Sequence, residues 1–372
     1  MNASGQAELT VGQEIYGGWQ QVTVTRSMEQ CANGFELTVT ERWPGQAANR
    51  PIRPGLRCTL TLAGETVISG YVDDVEPSYD KTAHSLAVRG RDATGDIVDC
   101  SAIHQGGQWV NATLLQIARD LCQPFGIAVL AETDVGAPFQ SFNIEEGETA
   151  FECLERAARQ RAVLLVSDAR GGLAITRAGK DRAASALVEG ENILDAKATL
   201  SWKDRYSQIT VKGQSRATEY YDPEPAASAS ATATDSVINR YRPLIMLAEA
   251  HGANDTIKDR AAWEQAVRRG RGKRATVSVQ GWTERPGALW RPNTLVSVTS
   301  PMLWLKEADM LIVGVNYTLD NNGARAALSL AAPEAFAQIT GISGSRLAGA
   351  LRAKAEREKN AGGSDCVCWG EM

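Results

Sequence analysis

Apolar and polar positions alternate in short bursts over the first hundred residues, at 21–25, 36–40, 57–62, 66–72 and 85–89. A period of two turns one set of side chains inward and the other to solvent, the pattern of half-buried strands. Asn33-Gly34, Pro44-Gly45, Pro54-Gly55 and Ala63-Gly64 separate the bursts with residues that turn readily. Residues 1–102 are therefore expected to form an all-β domain, a small barrel or sandwich, read as a first β-barrel.

The period then changes. Leu114, Leu115, Ala118, Leu121 and Cys122 fall on one helical face, with Asn111 as a possible cap and Pro124 and Gly126 as the stop. Thr149 followed by Glu152 forms a capping-box pair ahead of Phe151, Leu154 and Ala158. Segments 163–166 and 173–176, joined through Asp168, Gly171 and Gly172, predict a hairpin. Residues 103–190 are read as an α/β insert packed beside the barrel.

Alternation returns from Asn192, in 198–202 and 207–212, and again from 275 to about Phe336. This is read as a second barrel, 191–340, whose early strands pair across an excursion at 215–274. The excursion contains DPEPAASASATAT, too small and polar to build a core and so expected to be a mobile loop. It also contains a helix starting near Thr256 and Asp259 and carrying Ile257, Ala261, Trp263 and Val267. Residues 341–372 are expected to be a short charged helix, SRLAGALRAKAEREKN, then a Gly-Gly-Ser linker and the tail DCVCWGEM.

Two stretches about 240 residues apart share one pattern. Each has a proline (Pro54, Pro292), an alternating strand, Ile-x-Gly (Ile68 and Gly70; Ile312 and Gly314), a second strand, a polar turn and a strand with Leu86 and Val88 or Leu328 and Leu330. On this pattern Gly70 matches Gly314 and Leu86 matches Leu328. The overall expectation is a mainly β chain with two similar small β-barrels from internal duplication, an α+β insert, and a C-terminal helix and tail. Two unrelated meanders with generic strand punctuation would give a similar pattern. Three chains with two barrels each would present six near-equivalent modules, which suits an adaptor better than a catalyst.

Composition narrows the class. A formal charge of −5 gives no support to wholesale nucleic-acid binding. The N-terminus has no cationic start followed by an apolar core, and no run is long enough to span a bilayer, so synthesis in a cytoplasm without export and no membrane partner are expected. Seven scattered cysteines, an odd number, read mainly as small apolar packing residues.

Catalytic patterns are missing: His84, His104 and His251 form no metal-binding spacing, and there is no nucleophile elbow, phosphate loop or dinucleotide fingerprint. Asp73, Asp74 and Glu76 are the densest acids near a strand, but alternation puts Asp73 on the face opposite the other two. Arg268, Arg269, Arg271, Lys273 and Arg274 read as a cationic helix end, with contact to an acidic partner subunit left open. Cys366 and Cys368 are a compact thiol pair, read as an oxidised pair or part of a flexible docking tail in preference to a metal site; one chain offers too few ligands for a four-coordinate zinc, whereas three tails on an axis would offer six. The expectation is no enzyme and no cofactor.

The segment from PGLRCTLTLAGETVISGYVDDV through GRD to DIVD, with WVNATLLQIARDLCQPFGI and FNIEEGETAFECLERAARQRAVLLVSDARGGLAITRA, resembles the baseplate hub proteins of Mu-like phages. Those are relatives of late-control D tail proteins and of the hub part of type VI secretion spikes. The resemblance covers roughly residues 8–340. It implies a virion protein that forms a homotrimeric, pseudo-sixfold ring between the tail tube, or its initiator, and a central spike. Tape measure and baseplate wedge proteins are further possible neighbours, and DNA is only cargo passing the pore. Leu347, Leu351, Cys366, Cys368 and Trp369 are expected to dock the spike or meet at the threefold axis. With so little sequence after the second barrel, no fused cell-wall hydrolase of the kind some related hubs carry is expected. A tail-associated peptidoglycan hydrolase and a carbohydrate- or receptor-binding module, with nine tryptophans as stacking platforms, stay as alternatives.

Overall fold

The structure, a computed structural model, describes residues 6–40, 52–81, 84–161, 163–179, 181–212, 230–247 and 254–336. It is mainly β. The first strands are β1 (Ala7–Val11), β2 (Glu14–Tyr16), β3 (Gln21–Ser27), β4 (Gly34–Thr40), β5 (Arg57–Leu62), β6 (Glu65–Tyr79) and β7 (His84–Asp92). Their inward positions, among them Leu9, Val24, Leu37, Leu60, Ile68 and Val88, are fully buried. The β5–β6 turn places Ala63 and Gly64 both at positive φ, 49° and 84°, the left-handed pair that matches strand twist in a tight hairpin. Strand β6 runs seven residues beyond the expected end at Val72, through an irregularity between Val72 and Asp74.

The helical region follows as α1 (Gly95–Asp99), β8 (Gln108–Ala112), α2 (Leu114–Cys122), β9 (Val129–Ala131), β10 (Phe139–Asn143), α3 (Ala150–Arg161), β11 (Leu164–Ser167) and β12 (Leu173–Thr176). The cap of α2 is Thr113, not Asn111: the Gln116 N–H donates to the Thr113 hydroxyl at 3.2 Å, and the Gln116 side chain accepts from the Thr113 N–H at 2.8 Å. Asn111 lies in β8 with φ 52°. Its short side chain fits the cap rule, but it lies within β8, two residues ahead of the cap, and at that φ it lacks the extended backbone that Thr113 has at φ −78°. At α3 the capping box is present, with Thr149 N–H donating to Glu152 at 2.8 Å and Glu152 N–H to the Thr149 hydroxyl at 3.2 Å. Both helices bury small and aliphatic side chains in one core that also takes in Trp109, Phe139 and Phe142.

The remaining elements are β13 (Leu187–Val188), β14 (Ile193–Leu200), β15 (Gln208–Lys212), β16 (Ser230–Thr234), β17 (Pro243–Leu247), α4 (Asn254–Arg271), β18 (Lys273–Gln280), β19 (Thr283–Arg285), β20 (Ala288–Leu289), β21 (Thr294–Ser300), β22 (Leu305–Asp320) and β23 (Gly323–Ala331). One sheet has the order β14-β18-β23-β22-β3-β4-β7-β6-β5-β1-β2, with β21 pairing β22 and β13 pairing β21.

Two compact units divide the chain. One holds Met1–Ala196, Thr276–Val296 and Leu311–Leu330; the other holds Lys197–Ala275, Ser297–Met310 and Ala331–Met372. In the second, β16-β15-β17 form a separate three-stranded sheet, so β15 stands outside the sheet that holds β14, whereas the sequence reading placed both in the second barrel. Helix α4 covers it, with Ile257 and Ala261 against Val211, Ala231 and Ala233. This corrects the loop expectation at its end: in Ser230–Thr234 the alternation of Ala inward and Ser or Thr outward is enough once a helix supplies the apolar partner. Residues 222–229 of that expected loop lie outside the described residues.

Candidate assembly surface

The chemistry-bearing residues of the first strands hold one another. Arg91 donates to Asp73 at 2.8 Å and to both oxygens of Asp99, at 3.2 and 2.7 Å. Hydrogen bonds from Arg91 hold the Asp99 carboxyl below its ordinary pKa, and the same bonds raise that of Arg91. Arg89 donates to Glu76 at 2.6 Å and to Glu36 at 3.0 Å. Two of the three acids weighed as catalytic, Asp73 and Glu76, are thus ion-paired partners of strand β7.

Glycine is required where these strands cross closely. A Cβ on Gly90 would lie 2.3 Å from the Tyr71 carbonyl and 2.7 Å from the Phe35 ring, and one on Gly70 would lie 2.0 Å from the Arg91 carbonyl. Asp92 is buried and accepts from the N–H groups of Asn33 at 3.2 Å and Ser69 at 3.4 Å. Burial pushes its carboxyl up to about 6, partly offset by hydrogen bonds from Ser167 and Asn33. The GYVDDV, GRD and DIVD stretches therefore act as a lock between β6, β7 and α1.

Among the described residues no group of three or more His, Cys, Asp or Glu side chains is arranged to hold a metal. His84 stacks on Tyr79 and His104 on Trp109. Cys31, Cys58, Cys122 and Cys153 are buried and free, with thiols pushed up to about 12 by burial. The basic run begins in the last turn of α4, where Arg268 pairs with the buried Glu264 at 3.2 Å and lies over the Tyr206 ring. Leu347, Leu351, Cys366, Cys368 and Trp369, and His251, lie outside the described residues. No described helix is long and apolar enough to cross a membrane.

Repeated strand edges are the dominant feature. The order β1-β5-β6-β7-β4-β3 recurs as β13-β21-β22-β23-β18-β14, and both series follow the same order along the chain. Specific backbone bonds recur with it. The Asp92 N–H donates to the Asn33 carbonyl at 3.0 Å, and the Ala332 N–H to the Lys273 carbonyl at 3.2 Å, 240 positions later at both ends. Gly55 N–H donates to Val72 and Asn293 N–H to Ile312, each at 2.8 Å. The long strands start at Glu65 and Leu305, again 240 apart.

By this register Val72, not Ile68, corresponds to Ile312, and Val88, not Leu86, corresponds to Leu328. Gly70 and Gly314 therefore occupy different places, and only Gly70 is closed in by backbone; a Cβ on Gly314 would have its nearest neighbour at 3.3 Å. Matching the Ile-x-Gly triplets misaligned the copies by four residues. The signal that would have aligned them is the proline turn, Pro54 and Pro292, counted forward through a β21–β22 connection two residues longer than the β5–β6 one.

The two series meet through β22 and β3, antiparallel from Gly314 opposite Ser27 to Leu319 opposite Val22. Family models agree along the chain: Mu phage baseplate assembly protein GpP-like, N-terminal, over 6–92; baseplate hub protein gp44-like, second domain, over 94–177; tail protein NMB1110-like, third domain, over 205–262; and Mu phage baseplate assembly protein GpP, fourth domain, over 253–338. The chain is 37% identical over 341 residues to baseplate hub protein gp44 of Escherichia phage Mu, covering 90% of this chain and 89% of that one. Among solved structures, the 43 kDa tail protein of prophage MuSo2 from Shewanella oneidensis matches with 41% identity and TM-score 0.79, over 90% of this chain and 99% of that one. The tail protein from Neisseria meningitidis MC58 shares the fold at 22% identity and TM-score 0.75, over 89% and 98%. The chain belongs to the baseplate hub protein family of Mu-like phages, structural proteins of the virion tail.

Proposed function

We propose that this protein is a non-enzymatic hub: a homotrimeric, pseudo-sixfold ring that joins the tail tube to a central spike. The observation that carries the reading is the recurrence of one strand order and one set of backbone bonds 240 residues apart. Two like modules per chain let three chains face a sixfold tube on one side and a threefold spike on the other, and cyclic closure is the common outcome for such interfaces. The modules are two small barrels, 1–102 and 191–340 extended at its start to take in β13, with the helical region between them as an α/β insert and an excursion that holds β15, β16, β17 and α4. Residues 341–372 dock the spike, with Trp369 as the apolar anchor and Leu347, Leu351, Cys366 and Cys368 beside it. Synthesis takes place in the host cytoplasm, and DNA passes the pore as cargo.

Native mass spectrometry of the purified chain tests the ring. A trimer is expected, and a stable monomer or dimer, alone and with its neighbouring tail proteins, would overturn it. Zymography on cell walls separates this reading from a hydrolase: with Asp73 and Glu76 held by arginines, no clearing is expected.

A further inference from the structure

Among the described residues the strand junction inside the chain has two unpaired counterparts, one along half of β6 and one along β14. In the interior, β3 lies along the second half of β22, Gly314–Leu319, beyond the stretch that β21 covers. The corresponding half of β6, shifted by 240, is Asp74–Tyr79. Strand β5 pairs with β6 only as far as Tyr71. Among the described residues no strand lies along this half of β6 on the side away from β7. At the opposite end, β14 corresponds to β3, and no described strand lies on its side away from β18.

The alignment of β14 on β3 comes from two observations. Ser201 N–H donates to Gly272 at 2.8 Å, and continuing the β3–β4 register puts Ser27 opposite Ala32, 240 positions before Gly272. Burial then agrees: Val22 and Val24 face inward as Ala196 and Ala198 do, and Thr23 and Thr25 face solvent as Lys197 and Thr199 do.

We infer that β14 of one subunit adds antiparallel to Asp74–Tyr79 of the next, repeating between chains the β3–β22 junction made within each chain. The inference rests on the ring reading and deepens it by naming the edges and their register. Glu76 falls opposite Thr199, Pro77 opposite Ala198, Ser78 opposite Lys197 and Tyr79 opposite Ala196. Inside the chain, the Thr25 hydroxyl donates to the Asn316 side chain at 3.3 Å. Between chains the Thr199 hydroxyl meets the Glu76 carboxylate, with Lys197 one diagonal away, a complementary set. Tyr79 and Leu194, both large apolar side chains exposed in the single chain at 83% and 51%, come onto one face as diagonal neighbours. Pro77 has no N–H to give a ladder and is suited to a strand at the margin of its own sheet. It also deters indiscriminate strand addition. Each junction is heterologous, so only a closing rotation gives a finite ring.

Disulfide trapping tests the register. The chain would carry Glu76→Cys and Thr199→Cys together, with Cys100, Cys366 and Cys368 changed to Ser, and be oxidised with copper phenanthroline while native mass spectrometry reads the assembly. Covalent dimers and trimers on a non-reducing gel are expected from the double variant and from neither single variant. A native trimer that gives no such bands would overturn the edge assignment while leaving the ring intact. A stable monomer would overturn the ring reading beneath it. Should the double variant fail to fold, Leu194→Asp, at an exposed position, serves instead: at least a tenfold weaker assembly is expected with an unchanged monomer melt, and unchanged assembly would overturn the proposal.

Discussion

Asn33 and Asp92 are bonded in both directions: the Asp92 N–H donates to the Asn33 carbonyl at 3.0 Å, and the Asn33 N–H donates back to the Asp92 carboxylate at 3.2 Å. The second bond carries a pH dependence. Burial raises the Asp92 carboxyl to about 6 from an ordinary value near 3.8. A raised carboxyl binds its proton more tightly in the folded state, so its contribution to stability is full below about pH 4 and is lost as pH rises through 6. The span is about 3 kcal/mol for this group. Asp92→Asn, which removes the titration, is expected to flatten this component of stability between pH 4 and 7 in paired urea melts. A variant with the same pH slope as the parent would show that Asp92 does not titrate in this window.

Gly70 and Gly314 separate a tight crossing from a merely close one. Gly70→Ala would drive a Cβ to 2.0 Å from backbone, which side-chain movement cannot relieve, and should cost about 3 kcal/mol or more. Gly314→Ala meets the Arg26 carbonyl at 3.3 Å and should cost under about 1 kcal/mol. Thermal denaturation of both variants checks the order. Equal losses would restore the equivalence suggested by the Ile-x-Gly pattern.

Arg205 and Asp235 form an ion pair with side chains only 3% and 2% exposed, joined by bonds of 3.2 and 2.9 Å. Asp235 also accepts from Val237 N–H at 3.2 Å, and its own N–H donates to Ser207. Arg205→Ala leaves the buried Asp235 carboxylate with only the half-exposed Arg269, at 3.9 Å, as a cation and is expected to destabilise by about 3 kcal/mol. Chemical denaturation followed by Trp202 and Trp263 fluorescence would read it. A loss below about 1 kcal/mol would mean that Arg269 or water replaces the Arg205 guanidinium.

Removal of residues 345–372 should leave a folded ring that no longer takes up the spike. SRLAGALRAKAEREKN offers only Leu347, Leu351 and alanines to a core, too little apolar surface to hold a helix without a partner. Co-purification with the spike protein is the measurement. Normal spike recruitment would refute the docking role, and an unfolded truncation would place the segment in the core.

Local patterns were legible without a fold. Alternation located β3, β4, β5 and β7, because a period of two is written in consecutive residues. Thr149 and Glu152 marked the start of α3, because a capping box closes within one turn. The outcome at α2 shows the limit: Asn111 and Thr113 both suit a cap, and only strand β8, which takes Asn111, decides for Thr113. The remainder was settled by contacts distant in sequence. Ser230–Thr234 is a strand because α4 covers its alanines, and β6 continues to Tyr79 because β7 lies beside it. The two Ile-x-Gly triplets look equivalent along the chain, yet the bonds from Gly55 to Val72 and from Asn293 to Ile312 place them four residues apart. A sequence records which residues suit a strand, whereas register and neighbour depend on which backbone groups remain unsatisfied when the strands meet. The edges of β6 and β14, the features from which a ring would be built, therefore became visible only in the tertiary structure.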